Sequence, residues 1–361
     1  MIPIRFISTE HVQEGMIVGR PLRGRNGEIL LTAGTSLKST YIESIRRLRY
    51  SGLYIQDEFS EGIDIEDIIS EELRSNAVTA VRRLETDMVS GAANGFGAQI
   101  DAFAGFIDDI IESVLSNKDT IMNLVDLKIF DEYTYQHSIN VCVLSEVIGV
   151  AMGLDRAQLF NLGMTAILHD IGKFFIDKEL LNKPGRLSDE EFDIIKKHPE
   201  LGCDYLRRNF YYSSAIYIGV LQHHERYNGK GYPHGRAGSD IHIFARIISV
   251  ADVYDAITSL RPYHEPVLPS EAHEYIMGNA GQHLDPDVAG IFIHKVAPFP
   301  EGSEVLLSNG LRGVVYRNHP EFMSRPLIKL LPIEGKPPSV EFIDLRDDPS
   351  LFNVTITKML T

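Results

Sequence analysis

Leu168-His169-Asp170-Ile171-Gly172-Lys173 places an imidazole beside a carboxylate at the polar end of a predicted helix, directly after the apolar run 163–168. Such a pair can bind a divalent metal ion, because imidazole nitrogen and carboxylate oxygen are both common metal ligands. An adjacent His-Asp pair also arises by chance. Its simplest interpretation is a capped helix end whose polar side chains face water. Other parts of the chain must therefore show whether this pair binds a metal ion.

Further candidate ligands occur at the ends or on the faces of the neighbouring predicted helices. They are His137, His198, His223, His224 and Asp252. Each of five successive helices then supplies at least one ligand, as in helical bundles that build metal sites from inward-facing side chains. For any one of these histidines alone, a helix-end or core position is the better interpretation. Order, spacing and helix placement agree across the whole set, and together they predict a metal site.

The number of candidate ligands exceeds the needs of one ion. Two metals a few ångströms apart could share Asp170 and a hydroxide, which would activate the hydroxide as a nucleophile. The same ions would neutralise phosphoryl oxygens and the leaving oxygen. The residues therefore favour metal-assisted phosphate ester hydrolysis.

Composition limits the function classes. A chain of 361 residues, 44% of them hydrophobic, is long enough for two or three domains with a substantial core. The formal net charge of -15 argues against binding of polymeric nucleic acid, which needs clustered Lys and Arg, but leaves a small anionic ligand open.

With no signal-like N-terminus and no apolar segment long enough to span a bilayer, we expect a cytoplasmic protein without a membrane partner. Cys142 and Cys203 lie in apolar helical patterns, which favours core positions over a disulfide.

The chain divides into four predicted regions. Residues 1–57 combine short strands with a helix from Ser39, which predicts a small α+β module, and 58–128 form a helical linker region. Residues 129–295 carry all the candidate ligands and predict the catalytic helical bundle. The pattern of residues 296–361 is typical of strands around turns and predicts a β-rich extension. The predicted fold class is mainly α.

Local signals predict several turns and helix ends. Asn26-Gly27 is typical of a tight hairpin turn. Ser188 with Glu191 forms a capping box, and Pro199 is expected to end that helix at His198. Further predicted caps are Gly153, Asp155, and Ser213 or Ser214.

A stripe of apolar residues at steps of three and four marks one face of a helix in the linker region. Its members are Ile100, Phe103, Ile107, Ile110 and Val114. Such a face more often packs within its own chain. A homodimer seam is the alternative, although the repeat is too short to specify a coiled coil.

The motifs taken together resemble the HD-GYP family, a branch of the HD-domain phosphohydrolases, over residues 129–295. The matching segments are 169–173 (HDIGK), 198–202 (HPELG), 223–226 (HHER), 229–233 (GKGYP), 245–248 (ARII), 251–256 (ADVYDA) and 261–263 (RPY). The resemblance implies an HD-type helical bundle with bacterial phosphodiesterase activity in signalling. The expected reaction hydrolyses cyclic di-GMP to the linear dinucleotide, and often to GMP, with iron or manganese.

The resemblance also implies a role for each motif residue. One metal would be held by His137, His169, Asp170 and Asp252, and the other by Asp170, His198, His223 and His224, with Asp170 bridging. Asp170 and Lys173 would be the catalytic residues, with Lys173 beside the scissile phosphate. Arg261 would clamp a ligand phosphate with its fork of donors. Tyr232 would contact the substrate or a diguanylate cyclase-type protein partner.

Three positions depart from the family pattern. Tyr133 stands where members with three metals carry a glutamate, and Glu132 would point to another side of the helix, so we predict two divalent ions. Asn228 replaces a common aspartate and is expected to alter only the loop's turn. His264 replaces a common Lys or Arg, so its contact with substrate phosphate is expected to be weaker or pH-dependent.

Two function classes remain open. The complete ligand set favours a cyclic dinucleotide phosphodiesterase. The alternative is a non-catalytic receptor or scaffold for cyclic di-GMP, which loss of ligands would favour. A different substrate, such as cyclic GMP-AMP, is also open because no motif marks residues that read guanine.

Overall fold

The computed structural model describes residues 3–24, 28–48, 50, 52–63, 65, 68–90, 96–116, 122, 133–259, 267–332 and 340–360. The N-terminal elements are β1 (Arg5–Ser8), β2 (Ile17–Val18), β3 (Leu22–Arg23), β4 (Ile29–Leu31), α1 (Ser39–Arg47) and β5 (Gly52–Gln56). Strand β5 pairs antiparallel with β1 and β2, and β3 pairs with β4. The predicted turn Asn26-Gly27 between β3 and β4 lies outside the described residues. Helix α1 closes the module by burying Ile42 and Ile45.

The central part of the chain is helical, which confirms the mainly α fold class. Its helices are α2 (Glu71–Ser90), α3 (Phe96–Ser116), α4 (Tyr133–Ala151), α5 (Arg156–Leu168), α6 (Lys178–Leu181), α7 (Asp189–Ile195), α8 (His198–Asn209), α9 (Ser214–Gln222), α10 (Ile243–Thr258), α11 (Pro269–Asn279) and α12 (Pro286–Lys295). A 3₁₀ turn, Ile171–Phe175, follows α5. None of the helices in the described part of the chain combines the length and the apolar character needed to cross a membrane.

One apolar core joins these helices, except the short α6 and α7, and crosses the boundary predicted at residues 128 and 129. It runs from Ile69 in front of α2 to Val296 after α12. The stripe on α3 packs into it, since Phe103, Ile107, Ile110 and Val114 are all buried. Intrachain packing of this face is thereby confirmed, and these side chains are not available for a dimer contact. The side chain of Ile100 is outside the described set.

Most predicted helix ends are confirmed. Asp155 caps α5 in a capping box with Gln158, and Ser188 caps α7 in another with Glu191. Ser213 is the cap of α9. Gly153 follows α4 with a φ of 76°, a left-handed conformation that glycine adopts without strain. Both cysteines, Cys142 and Cys203, are buried and unpaired with each other.

The prediction for Pro199 was wrong. The helix that Ser188 caps ends at Ile195, and His198 begins α8 with Pro199 in its first turn. Proline fits there because first-turn amides have no intrahelical acceptor and the fixed φ of proline suits a helix start. His137 was likewise expected to open its helix, but α4 begins one turn earlier, at Tyr133.

The C-terminal extension is an antiparallel sheet, as predicted. Its strands are β6 (Glu304–Leu307), β7 (Arg312–Arg317), β8 (Leu327–Leu330), β9 (Phe342–Asp344) and β10 (Ile356–Met359), in the order β10-β6-β7-β8-β9. The sheet packs on the N-terminal module through a shared cluster that includes Phe6, Tyr54 and Val314. The Phe6 amide also donates a hydrogen bond of 3.0 Å to the Gly302 carbonyl. The two end regions, predicted separately, therefore form one packed unit.

Candidate metal centre

The seven predicted metal ligands lie together where helices α4, α5, α8, α9 and α10 meet. Their ligand atoms form two groups, each with all atoms within 4.8 Å of one another. One group contains His137, His169 and Asp252; the other contains Asp170, His198, His223 and His224. His169 and His223 cap the ends of α5 and α9, His198 starts α8, and His137 and Asp252 lie inside α4 and α10.

Asp170 lies between the two groups and presents one oxygen to each. Its Oδ1 is 3.3 Å from Nε2 of His198 and 3.8 Å from Nε2 of His223. Its Oδ2 is 3.4 Å from Nε2 of His169 and 3.8 Å from Nε2 of His137. This geometry suits a carboxylate that bridges two ions.

Backbone carbonyls fix the orientation of three of the imidazole rings. Nδ1 of His169, His198 and His223 lies 2.6 to 2.7 Å from the carbonyl oxygen three residues earlier. These carbonyls belong to the last turns of helices, where they have no intrahelical donor. Because Nδ1 must donate to them, Nε2 of each ring carries the lone pair and faces the cluster, as a metal ligand requires.

His137 is oriented by side chains that the sequence reasoning missed. Its Nδ1 donates to Oδ2 of Asp255 at 2.7 Å, and Nδ2 of Asn140 donates to Oδ1 of the same carboxylate at 2.8 Å. Spacing could have indicated both partners. Asn140 lies three residues after His137 and Asp255 three residues after Asp252, so each shares a helix face with a ligand.

The carboxylates of the cluster are held in their ionised form. Burial raises the pKa of Asp170, but the ammonium of Lys173 and then His169 and His198 outweigh it and hold the pKa well below its usual range. Burial opposes ionisation of Asp252 in the same way, and the hydrogen bond and charge of His137 hold its pKa well below the usual range. Ionised carboxylates are the form that binds metal.

Two of the imidazoles are held neutral. Burial, followed by the neighbouring histidines, lowers the pKa of His223 well below its ordinary value and that of His224 to about 3. His137 differs, because hydrogen bonds to Asp252 and Asp255 overcome the effect of burial and raise its pKa. Protons therefore do not compete with a metal for His223 and His224 near neutral pH.

Unsatisfied atoms show that a metal ion fits this donor set. Among the described residues, Nε2 of His169 and Oδ1 of Asp170 are buried without a hydrogen-bond partner. Nε2 of His198 and Nε2 of His223 face each other at 3.2 Å, although both Nδ1 atoms already carry the donated proton. A buried polar atom without a partner costs about 1–3 kcal/mol. Divalent cations, one in each ligand group, would satisfy all four atoms, because imidazole and carboxylate are suitable metal ligands.

Lys173 and Tyr232 border the cluster. The Lys173 ammonium forms an ion pair with Oδ2 of Asp170, and its side chain is 28% exposed. The ring of Tyr232 packs against His224 with centroids 4.9 Å apart. The two other predicted substrate contacts, Arg261 and His264, lie outside the described residues. The side chain of Tyr133 and all of Glu132 are outside them as well.

Glu225 fixes the glycine-rich loop that carries Tyr232, a role the sequence reasoning missed. Its buried carboxylate accepts the backbone amides of His234 at 2.8 Å and Arg236 at 3.0 Å. Gly231 packs so closely that a Cβ would lie 2.2 Å from the Arg226 nitrogen. A glutamate directly after the His-His pair was visible in the sequence, but its buried partners lie in a loop with no regular spacing.

Residues 119–288 match the family model described as "HD domain". The chain carries an HD domain. The resemblance recognised in the motifs is confirmed by this match and by the curated relatives. "Cyclic di-GMP phosphodiesterase PA4108" of Pseudomonas aeruginosa is 36% identical over 264 residues, which cover 73% of this chain and 64% of that protein.

A second curated relative bears a different substrate in its name. "3'3'-cGAMP-specific phosphodiesterase 1" of Vibrio cholerae is 35% identical over 153 residues, covering 42% of this chain and 35% of that protein.

A solved structure, the HDG"Y"P protein Bd1817 of Bdellovibrio bacteriovorus, is 16% identical with a TM-score of 0.48, covering 80% of this chain and 98% of that one. Of the two curated relatives, this chain matches 64% and 35% of the length, less than two thirds in each case.

Proposed function

We propose that this HD-domain chain is a metal-dependent phosphodiesterase that hydrolyses cyclic di-GMP to the linear dinucleotide, with further hydrolysis to GMP left open. The observation that carries the proposal is Asp170, whose two oxygens face two separate ligand groups. A bridging carboxylate between two histidine-rich groups is typical of two-metal sites that cleave phosphate esters. The name of the Pseudomonas aeruginosa relative supports cyclic di-GMP as the substrate.

The proposed centre holds two divalent ions, iron or manganese. Bound ions would supply the Lewis acidity that ionises water and neutralises phosphoryl oxygens. His137, His169 and Asp252 would hold one ion, His198, His223 and His224 the other, and Asp170 both. All these side chains are oriented by the contacts described above, so little reorganisation is needed on binding.

The remaining site residues are proposed to position the substrate. Lys173 can turn its ammonium from Asp170 toward a phosphoryl oxygen, because its side chain is partly exposed at the edge of the cluster. Tyr232 is proposed to contact the substrate beside His224. Arg261 and His264 are proposed to bind a phosphate on the strength of the motif alone.

A second candidate substrate is 3'3'-cyclic GMP-AMP. It is favoured by the name of the Vibrio cholerae relative, which is 35% identical to this chain over the matched residues. A chain that only binds cyclic di-GMP is the alternative class, and the complete set of oriented ligands argues against it.

The deciding experiment measures hydrolysis of both cyclic dinucleotides by protein purified anaerobically, with its metal content quantified. We expect about two metals per chain and formation of linear dinucleotide or GMP from cyclic di-GMP. Metal and activity should both disappear in the His169→Ala/Asp170→Ala variant. The matched control is His294→Ala, which removes an exposed histidine of α12 and should change neither the metal content nor the activity. A wild type loaded with iron or manganese that binds cyclic di-GMP without cleaving it would overturn the proposal in favour of the receptor.

A further inference from the structure

Helix α2 lies outside the matched HD domain, yet its Arg74 begins a series of hydrogen bonds that ends at a proposed metal ligand. Nη1 of Arg74 donates to Oδ1 of Asn140 at 2.6 Å. Nδ2 of Asn140 donates to Oδ1 of Asp255 at 2.8 Å, and Oδ2 of Asp255 accepts from Nδ1 of His137 at 2.7 Å. Side chains of α2, α4 and α10 meet in this series.

The direction of each hydrogen bond follows from chemistry. A guanidinium can only donate, so the amide oxygen of Asn140 faces Arg74 and its NH₂ group faces Asp255. An ionised carboxylate can only accept, so His137 must keep its proton on Nδ1. With Nδ1 donating to Asp255, Nε2 is the nitrogen that faces the cluster, 3.2 Å from Asp252 and 3.8 Å from Asp170, and that would bind the ion.

Burial strengthens the hydrogen bonds of this series. Asn140, Asp255 and His137 are 4%, 2% and 2% exposed, and hydrogen bonds in such surroundings polarise one another. Arg74 is half-buried and places a positive charge behind the Asp255 carboxylate. Helix α2 is anchored again further along, where Glu85 accepts from the hydroxyl of Tyr135 and forms a 2.7 Å ion pair with Lys178. Arg74 is therefore held in place by a fixed helix.

We infer that Arg74 is a positioning residue for the metal centre. It fixes Asn140, Asp255 and the His137 ring, and so strengthens binding of the ion held by His137, His169 and Asp252. His198, His223 and His224 are not part of this series, so Arg74 should act mainly on the first ion and affect the second only through the shared Asp170. This inference rests on the two-ion centre proposed above and adds to it a contribution from helix α2.

The test compares Arg74→Met with Arg83→Met by titrating metal-free protein with manganese against a chelator of known affinity. Arg83 is exposed on the same helix, so its replacement removes the same charge without touching the series. We expect Arg74→Met to weaken one of two binding steps by about threefold to thirtyfold and to affect the other much less. Arg74→Lys should recover part of the loss, because an ammonium can also donate to Asn140. In turnover assays, kcat should fall while KM is unchanged.

A double-mutant cycle with Asn140→Ala separates this effect from a general loss of packing. In the Asn140→Ala background, Arg74→Met should have no further effect on manganese affinity. The inference is overturned if Arg74→Met binds both ions as wild type does, or if its effect persists without Asn140. Should Arg74→Met not fold, an Asn140→Ala variant with two unchanged binding steps would also overturn it. A wild type that binds no metal would instead refute the centre itself.

Discussion

At the scale of single residues, Glu146 is a buried carboxyl group outside the proposed metal centre. It lies on α4 with 0% exposure, and neither carboxyl oxygen makes a well-formed hydrogen bond among the described residues. Burial raises its pKa well above the ordinary value, and the Gly163 backbone only partly opposes this. Glu146 is therefore protonated in the folded chain at pH values where the unfolded chain has lost that proton.

The sign of the resulting pH dependence follows from linkage. Because the folded pKa is raised, the contribution of Glu146 to stability is complete below its unfolded pKa and is lost as the pH rises toward the folded pKa. We expect Glu146→Gln, which cannot ionise, to be stabilised relative to wild type by a margin that grows with pH. Urea unfolding from pH 5 to 9 measures this margin. The prediction fails if the margin is flat, or if Glu72→Gln on the exposed face of α2 behaves the same way.

Gly172 holds the 3₁₀ turn after Asp170 against the start of α8. A Cβ at this position would lie 1.9 Å from the His198 carbonyl oxygen and 2.7 Å from the Gly202 nitrogen, both backbone atoms. We expect Gly172→Ala to cost about 3 kcal/mol of unfolding free energy and to reduce metal content by displacing His198. Gly290→Ala in α12 is the control, since its Cβ would meet nothing within 4 Å. Equal stability and metal content in the two variants would contradict the prediction.

At the scale of elements, the sequence predicted the helices that carry ligands better than the contacts between them. Capping residues such as Asp155 and Ser188 act locally, so their signal was complete in the sequence. Pro199 was ambiguous because proline both ends helices and fills their first turn, and only the preceding turn could decide. Arg74 and Asn140 are 66 residues apart, and no local pattern indicates that they meet.

The glycine-rich loop depends on Glu225, whose carboxylate accepts two of its backbone amides. Glu225→Ala would leave both amides without this acceptor, which should lower the free energy of unfolding by about 3 kcal/mol. We expect faster hydrogen exchange at His234 and Arg236 and a raised KM, because Tyr232 belongs to the same loop. Glu200→Ala on the exposed side of α8 is the control. Unchanged exchange at both amides would refute this role.

At the scale of the whole molecule, the unit formed by the two end regions was not predictable. Short strand-like segments and turns indicated each β region, but they do not specify which sheet covers which. Arg5 joins the two: its guanidinium pairs with Asp57 at 2.7 Å and with Glu304 at 3.4 Å, and it is 5% exposed. Asp57 belongs to the N-terminal module and Glu304 to the C-terminal sheet, so the pair with Glu304 crosses the junction.

Arg5→Met should therefore destabilise the junction. Loss of the guanidinium leaves the buried Glu304 carboxylate paired with Arg312 and removes the Arg5 partner of Asp57. We expect the free energy of unfolding to fall by about 3 kcal/mol. Thermal unfolding of the whole chain measures the change. The comparison variant is Arg156→Met, whose exposed pairs with Asp108 and Glu112 should contribute little. Equal melting temperatures for the two variants would argue against a stabilising junction.

The same junction sets an order of events in folding. Arg5 and Glu304 are separated by 299 positions, so their contact closes a very long loop, whereas the helical core contains many contacts between neighbouring helices. Contacts between distant residues form late because chain closure must precede any gain from them. During synthesis, the part of the Ile4, Phe6 and Tyr54 surface that packs on Val314 stays exposed until β7 has been made. The nascent N-terminal module therefore exposes apolar surface for most of synthesis, and such surface favours aggregation.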